Sequence, residues 1–189
     1  MLPIEKGPTP RALSDAVRRI KNTPDATLCW TNVDGDERAA VLDALLAEQG
    51  ELCAYCSRQI GRDTAHVEHF IPQSAAAGGD DPDSVSYGNL LAVCSGFEHD
   101  AAGLTCDRAR KNALLTVNPL KPSTLETIRF RRDGTIYATD DAVCKDVETT
   151  LNLNQRLLKR NRRAALRKMW DGLRDIGERR GEGAVSAFC

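Results

Sequence analysis

Apolar residues recur at helical spacing near the N-terminus of the chain. Leu13, Val17 and Ile20 fall on one face of a predicted helix, and Pro24, a residue that ends helices, follows shortly after. A second helix is predicted from about Glu37 to Gln49, where apolar residues are spaced three and four positions apart. The first part of the chain therefore predicts a pair of helices.

The last third of the chain predicts a hairpin followed by a long helix. Two β-prone runs, 127–130 and 135–138, flank Asp133-Gly134, a pair that favours a tight turn. A helix is then predicted from about Gln155 to Ile176, with Asn154 as its N-cap. We expect six apolar side chains at helical spacing to pack this helix on the core: Leu158, Ala165, Leu166, Met169, Trp170 and Leu173.

Length and composition fit one globular unit. The chain has 189 residues, of which 41% are hydrophobic and 28% charged, and its formal net charge is -1. This length allows a buried core without disulfide bonds. No apolar stretch approaches the roughly 20 residues that a membrane span needs, and the N-terminal residues lack a signal-peptide core. We therefore expect a cytoplasmic protein, in which seven cysteines favour metal ligation or free thiols.

Charge is unevenly distributed along the chain. Residues 25–89 contain twelve acidic and three basic side chains, whereas residues 156–180 contain ten basic and three acidic ones. Residues 105–132 are also basic, with seven basic side chains and two acidic ones. Proteins that bind phosphate backbones concentrate positive charge in this way, and so do solvated helix faces. Composition alone leaves both interpretations open.

Four of the cysteines have the spacing of a zinc site. Cys53-Ala-Tyr-Cys56 is a two-residue knuckle that can place two thiolates on one tetrahedral ion, and Cys94 and Cys106 are the expected second pair. Eleven residues separate that second pair, so His99, which lies between them, is an alternative ligand. A redox pair and plain buried cysteines are further alternatives, although no βαβ pattern surrounds the knuckle. Structural zinc is the favoured interpretation.

The segment His66-Val67-Glu68-His69 concentrates groups that can hydrolyse a phosphodiester. On a strand, His66 and Glu68 share one face and His69 takes the other. Histidine titrates near neutral pH and can serve as a general base, and a carboxylate is a hard ligand for Mg²⁺. The alternative is a hydrogen-bonded histidine pair with a purely structural role near the cysteines.

Together, the segments CAYC, HVEHFIP, YGNLLAVC and CDRARKN resemble the HNH endonuclease family. That family combines a zinc knuckle, an acidic residue and a histidine before a proline, an Asn-Leu step, and a closing Cys-x-x-x-x-Lys element. The flanking segments are similar to a subgroup, the PtuB-like nucleases encoded with retron and Septu anti-phage systems: IEKGP, LLAEQGELCAYC, VNPL, FRRDGTIYATD and LNLNQRLLKRNRR. The resemblance extends over nearly the whole chain.

The resemblance implies an α+β fold. Its centre is a ββα-metal (HNH) nuclease core braced by a zinc ribbon, with N-terminal helices, a C-terminal β-hairpin and a basic C-terminal helix. In these terms residues 1–50 form a helical arm and residues 51–115 form the HNH core with its structural zinc. Residues 116–189 form the hairpin and the basic helix, packed on that core as a single unit.

The resemblance also implies roles for single residues. His69 matches the general base, Glu68 the adjacent metal ligand, and Asn89 the central asparagine that braces the loop and orients the base. Asp107 stands where many members of the family place a second histidine or asparagine ligand, and its oxygens suit Mg²⁺ or Mn²⁺. Three roles are open for His66, which are a hydrogen bond to Glu68, contact with phosphate, and binding of the catalytic metal; we favour a supporting role next to a metal ligand.

Two further sets of residues follow from the resemblance. Arg108, Arg110 and Lys111 are expected to contact phosphate, and a solvated helix is the alternative. In the family that this chain resembles, zinc is structural and takes no part in catalysis. Its structural ligands are Cys53, Cys56, Cys94 and Cys106.

The expected function is that of a metal-dependent DNA endonuclease, with structural Zn²⁺ and catalytic Mg²⁺ or Mn²⁺, that serves as the effector of a bacterial defence complex. The resemblance implies as partners DNA, an SMC/ABC-type ATPase subunit, and the reverse transcriptase and multicopy single-stranded DNA of a retron. Two alternatives stay open: a catalytically silent zinc module that docks DNA or a partner, and an RNase of the same fold.

Overall fold

The computed structural model describes residues 1–73, 79–96 and 103–179. These residues form a mixed α and β structure with two short antiparallel sheets. The helices and strands, joined by short 3₁₀ and π turns, follow in the order α1 (Arg11–Asn22), α2 (Gly35–Glu48), β1 (Ala65–His69), β2 (Leu90–Cys94), α3 (Cys106–Arg110), β3 (Ile128–Phe130), β4 (Ile136–Ala138), α4 (Asp141–Lys145) and α5 (Arg156–Arg179).

The predicted N-terminal pair of helices is confirmed. α2 begins slightly before the predicted Glu37 because a capping box starts it: the Asp34 side chain accepts a backbone N–H of the first turn, and the Glu37 carboxylate accepts the Asp34 N–H at 2.8 Å. Arg19 of α1 donates to the same Glu37 carboxylate at 2.6 Å and so links the two helices. Their buried side chains are Leu13, Ala16, Ile20, Val41, Leu45 and Leu46.

β1 and β2 form the first sheet, and α2 packs against both strands. The antiparallel register pairs His69, the last residue of β1, with Leu90, the first residue of β2. β2 is buried along its whole length, whereas β1 is half-buried up to His69. The Gln49 side chain donates to Ala92 O and accepts from Ala92 N, both at 2.8 Å, and so satisfies backbone groups of β2 as a third strand would.

α3 is a short helix that packs against β2. It begins at Cys106, whose φ is 57° and whose N–H donates to Leu151 O at 2.9 Å. The buried carboxylate of Asp146 holds the segment after α3 in place. It accepts the N–H groups of Thr116 and Val117 at 2.5 and 3.0 Å. A helix of five residues has little stability of its own, so its position depends on such tertiary contacts.

The predicted hairpin is confirmed as β3 and β4, which pair antiparallel. Its turn lies against α5, where Lys159 forms an ion pair with Asp133 at 3.1 Å. Gly134 has a φ of 85°, and a Cβ at this position would lie only 2.2 Å from Lys159 O. Glycine therefore allows both the turn and its close approach to the helix.

The start of α5 differs from the expectation. Asn154 is not the N-cap, because its side chain pairs with the backbone of Ile136, accepting the N–H at 2.9 Å and donating to the oxygen at 2.8 Å. Gln155 takes the capping role, since its Oε1 accepts the N–H groups of Leu157 and Leu158 at 2.6 and 3.3 Å.

The apolar stripe of α5 packs on the core only at its beginning. Leu158 is buried, whereas Met169 and Leu173 are 50% and 41% exposed. The expectation that the whole stripe is covered is therefore wrong, because helical spacing identifies a face without saying what lies against it. α5 is the longest described helix, and across the described ranges no helix is both long and apolar enough to span a membrane.

Candidate metal centre and active site

Four cysteine sulfurs meet between the knuckle, β2 and α3. The Sγ atoms of Cys53, Cys56, Cys94 and Cys106 all lie within 4.8 Å of one another. Cys94 lies 3.6 Å from Cys106, and the pairs Cys53–Cys106 and Cys56–Cys94 are each 3.9 Å apart. A tetrahedral zinc site with Zn–S bonds of about 2.3 Å places its sulfurs about 3.8 Å apart. The cluster could therefore bind a metal ion such as zinc.

Electrostatics within the cluster favour a bound cation. Hydrogen bonds from the neighbouring thiols, that of Cys106 first, lower the pKa of the Cys94 thiol, whereas hydrogen bonding to its neighbours, Cys53 first, raises the pKa of the Cys106 thiol, so without a cation the four thiols cannot all ionise. A buried thiolate is costly without a cation beside it, and a soft divalent metal supplies one. His99, the alternative ligand, lies outside the described residues. Four cysteine sulfurs already make a complete tetrahedral set.

A hydrogen bond between His66 of β1 and Asp107 of α3 joins these two elements. His66 Nε2 lies 2.6 Å from Asp107 Oδ2, and this bond raises the pKa of His66 although burial opposes the shift. The other oxygen, Asp107 Oδ1, is buried and has no hydrogen-bond partner among the described residues. A buried carboxylate oxygen without a donor is costly unless a cation or a water contacts it.

Glu68, two residues after His66, contacts α3 through Arg110. Arg110 Nη1 lies 2.5 Å from Glu68 Oε1, and the Tyr55 hydroxyl donates to the same oxygen at 3.4 Å. Burial raises the pKa of Glu68; the charge of Arg110 opposes this shift, and the charge of Asp107 adds to it. Carboxylates whose charges oppose each other in this way are a feature of sites that bind divalent cations.

These carboxylates suit a hard cation in their chemistry, but together with His66 they do not form a group as tight as the sulfurs. Across residues 1–73, 79–96 and 103–179, the four cysteines are the single group of three or more His, Cys, Asp or Glu residues whose ligand atoms all lie within 4.8 Å. The observation that fits Mg²⁺ or Mn²⁺ is the buried Asp107 Oδ1, which has no hydrogen-bond partner within the part of the chain that the structure describes. Binding of one cation by Glu68 and Asp107 stays a prediction.

His69 has a different set of neighbours from Glu68. Its Nε2 lies 2.9 Å from Ser84 O, its Nδ1 lies 3.0 Å from the Gln73 side-chain nitrogen, and its ring packs edge-on against Trp30 at 5.4 Å. Because a carbonyl oxygen only accepts, Nε2 carries the proton and Nδ1 presents a lone pair. Burial lowers the pKa of His69, which keeps the imidazole neutral near pH 7.

The structure therefore brings some of the expected catalytic residues together and separates others. His66 of β1 is hydrogen-bonded to Asp107 of α3, and Glu68 of β1 is paired with Arg110 of the same helix. The His69 side chain belongs to the opposite face of β1, since neighbouring residues of a strand alternate. Among the described residues, its hydrogen-bond partners are Ser84 and Gln73 rather than either carboxylate.

Asn89 makes contacts of the kind expected for a bracing residue. Its Oδ1 accepts the N–H of Ile71 at 2.6 Å, and its Nδ2 donates to the backbone oxygens of Ile71 and Asp83 at 3.0 Å each. Its own backbone oxygen accepts from Phe70 at 2.9 Å. These bonds tie the segment after β1 to the segment before β2, between which the His69 ring lies.

The expected phosphate contacts need one correction. Arg110 is buried, with a side chain 0% exposed, and its guanidinium donates to protein oxygens, so it cannot contact phosphate in this structure. α3 also ends at Arg110, and Lys111 follows it with a φ of 55°, so the basic residues do not line one helix face. Arg108 and Lys111 are exposed, and phosphate contact by these two stays a prediction.

Three contacts of this site were not predicted: Arg110 with Glu68, Gln73 with His69, and Ser84 with His69. Ser84 contributes a backbone oxygen, for which the sequence has no signal. Gln73 comes directly after the His-x-x-Pro segment, and this position could have pointed to it. Arg110 was assigned to the surface because arginine is rarely buried.

Comparison with known proteins gives one relative of moderate similarity. No family model matches the chain. The "Retron Vc95 putative HNH endonuclease" of Vibrio cholerae serotype O1 biovar El Tor is 31% identical over 97 residues, which are 51% of this chain and 45% of the relative. The match thus spans less than half the length of that relative.

A solved structure gives a weaker likeness. The Type II-C Cas9 enzyme from Actinomyces naeslundii is 24% identical to this chain, with a TM-score of 0.33, over 56% of this chain and 8% of the Cas9 chain. A likeness with this TM-score supports no conclusion about fold or function.

Proposed function

We propose that this chain is a metal-dependent HNH-type DNA endonuclease in which His69 is the general base, and that it is the effector of a retron- or Septu-type defence system. The observation that carries the proposal is the geometry of His69: a buried imidazole whose Nε2 donates to a backbone carbonyl and whose Nδ1 is an acceptor, paired here with the Gln73 amide. The HNH endonuclease name of the relative matched over half of the chain supports it.

His69 is suited to take a proton from water. The hydrogen bond from Nε2 to Ser84 O fixes the ring and its tautomer, and the edge-on contact with Trp30 limits its rotation. Nδ1 then accepts the proton of the attacking water. The Gln73 amide lies 3.0 Å from Nδ1. When substrate binds, the attacking water displaces this amide.

Glu68 and Asp107 would hold a catalytic Mg²⁺ or Mn²⁺. When bound, such a cation supplies the positive charge that stabilises the pentacovalent phosphate and the departing 3′ oxygen. His66 fixes Asp107 by its hydrogen bond to Oδ2 and leaves Oδ1 for other partners. Arg108 and Lys111, both exposed beside Asp107 in sequence, contact the phosphates of DNA.

The cysteine cluster holds a structural zinc and has no chemical part. Four thiolates leave no open position, so zinc fixes the knuckle, β2 and α3 in place as a ββα-metal core within residues 51–115. The helical arm before residue 51 and the hairpin and basic helix from residue 116 pack on that core. We further propose that the protein acts in the cytoplasm with DNA, an SMC/ABC-type ATPase, and the reverse transcriptase and multicopy single-stranded DNA of a retron.

The test is nicking of supercoiled plasmid by the purified chain, alone and with its ATPase partner, in Mg²⁺ or Mn²⁺ and in EDTA. We expect nicking that EDTA stops, and we expect His69→Ala to lose about 1,000-fold or more in rate while it keeps zinc and fold. Arg18→Ala, a change at an exposed position of α1, is the control and should cut like the parent. Full cutting by His69→Ala would contradict the role of His69.

A catalytically silent zinc module is the second candidate. Glu68 already has Arg110 as a partner, and His69 Nδ1 already has Gln73, an arrangement that a purely structural site would also show. The same assay separates the two, because a module of this kind would shift DNA in a gel without nicking it in any metal. An RNA substrate of matched sequence tests the RNase alternative.

A further inference from the structure

Arg110 is a basic residue of the site whose guanidinium is fully used in hydrogen bonds to the protein. It lies at the end of α3, and its side chain is 0% exposed. Its three nitrogens all donate within the protein, and the acceptors belong to three separate segments of the chain. They are Ala113 O at 2.7 Å, Tyr55 Oη at 2.8 Å, Glu68 Oε1 at 2.5 Å, His69 O at 3.3 Å and Phe70 O at 2.5 Å.

These contacts join the two elements that carry the carboxylates. Glu68, His69 and Phe70 form the end of β1 and the residue after it, whereas Arg110 belongs to α3, the helix of Asp107. α3 has five residues and cannot fix its own distance from β1. The one other side-chain hydrogen bond described between these two elements is that of His66 to Asp107.

We infer that Arg110 is a positioning residue that fixes Glu68 and the end of β1 relative to Asp107, so that the two carboxylates share one divalent cation. This inference rests on the proposed function, because it concerns the cation of that same site. Arg110 touches neither substrate nor reacting atoms. It acts through Glu68, whose Oε1 it binds, and through the backbone oxygens that set the path of β1.

The planar fork of arginine matters here as much as its charge. A lysine at this position keeps a positive charge near Glu68, but its single ammonium cannot reach Glu68, Phe70 O and Ala113 O at the same time. If only the charge of residue 110 mattered, Arg110→Lys would bind the cation as the parent does. A variant with a neutral residue at this position would bind the cation more tightly, because one repulsive positive charge would be gone. If position matters, lysine weakens cation binding.

The test measures Mn²⁺ affinity and plasmid nicking for the parent and for Arg110→Lys. We expect Mn²⁺ affinity to fall about tenfold or more, and nicking at saturating Mn²⁺ and DNA to fall about 100-fold, with zinc content unchanged. Arg162→Lys is the matched control: Arg162 is a half-buried arginine that donates to Gly134 O at 2.8 Å and Leu153 O at 2.5 Å, away from the carboxylates. It should bind Mn²⁺ like the parent.

A milder variant keeps the test decisive if Arg110→Lys does not fold. Tyr55→Phe removes a hydroxyl that accepts from Arg110 and donates to Glu68, but it keeps the buried ring. We expect a threefold to tenfold loss of Mn²⁺ affinity, on the order of one hydrogen bond. Mn²⁺ affinities equal to the parent's in the folded variants would overturn the inference.

The inference and the proposed function fail in distinguishable ways. A parent that binds Mn²⁺ but never cuts nucleic acid contradicts the nuclease proposal, while the affinities of the two variants still decide the role of Arg110. A parent that cuts, together with an Arg110→Lys variant that binds Mn²⁺ and cuts equally well, contradicts only the positioning role. A parent whose Mn²⁺ binding is unaffected by Glu68→Gln contradicts both.

Discussion

The cysteine cluster and the carboxylate site share helix α3 and are built differently. In the cluster, all four ligand atoms lie within 4.8 Å of one another, and all four belong to cysteines. In the carboxylate site, one oxygen of each carboxylate already has a hydrogen-bond partner within the protein. Arg110 donates to Glu68 Oε1, and His66 is hydrogen-bonded to Asp107 Oδ2. Asp107 Oδ1 has no hydrogen-bond partner within residues 1–73, 79–96 and 103–179.

This difference corresponds to the two kinds of metal site that we propose. A closed set of soft ligands surrounds an ion completely and leaves it only a structural role. Hard oxygens that are partly held by neighbouring side chains leave positions open for water and substrate, as a catalytic cation requires. Changes in the first site should therefore act on folding, and changes in the second on catalysis. Three substitutions test that division.

The largest effect should come from Cys106→Ser. Structural zinc contributes on the order of 10 kcal/mol to folding in small zinc domains, comparable to the whole stability of a typical domain. We expect loss of zinc and of cooperative unfolding, measured by metal analysis and thermal denaturation. Cys144→Ser, at a half-buried cysteine outside the cluster, is the control and should keep both. A stable, zinc-free Cys106→Ser protein would contradict the structural role of the cluster.

Glu68→Gln should change activity and leave folding intact. The substitution keeps the shape of the side chain and removes the charge that we assign to the cation, so we expect a loss of about 100-fold or more in nicking rate. Zinc content should stay near that of the parent, and the protein should still unfold cooperatively, at a lower melting temperature because the buried Arg110 loses its charged partner. The exposed Glu126→Gln is the matched control. If Glu68→Gln lost its zinc instead, the two sites would not be separable as described.

The smallest effect should come from replacing both Arg108 and Lys111 with alanine. If each contacts one phosphate, DNA affinity falls, and the slope of log affinity against log salt concentration decreases by about one for each contact. Fluorescence anisotropy of a labelled duplex at several salt concentrations measures this, with EDTA present to prevent cutting. An unchanged slope would leave the solvated-helix interpretation in place for both residues.

Much of the fold followed from local rules. Hydrophobic spacing and Asp133-Gly134 predicted α1, α2 and the β3–β4 hairpin, because each depends on neighbours in sequence. The exposed end of α5 could not be predicted, since the same spacing describes a covered and an uncovered helix face. Asn154 failed as an N-cap because a hairpin distant in sequence competes for its side chain.

In the candidate site too, the sequence predicted features that depend on nearby residues and missed those that depend on distant ones. Cysteine spacing identified the four residues that the structure places together, since two-residue knuckles have a strong geometric meaning. The position of Arg110 depends on contacts with residues 40 to 55 positions away, and arginine is assigned to the surface by default. The hydrogen bond from His69 to Ser84 O involves a backbone oxygen that every residue possesses.

Anomalous diffraction from crystals grown with Mn²⁺, recorded at energies that separate manganese from zinc, tests the account most directly. We expect a zinc signal among the four cysteine sulfurs and a separate manganese signal bonded to the carboxylates of Glu68 and Asp107, with Arg110 still on Glu68. Manganese bound away from those two carboxylates, or bound to only one of them, would contradict the claim that they share the catalytic cation.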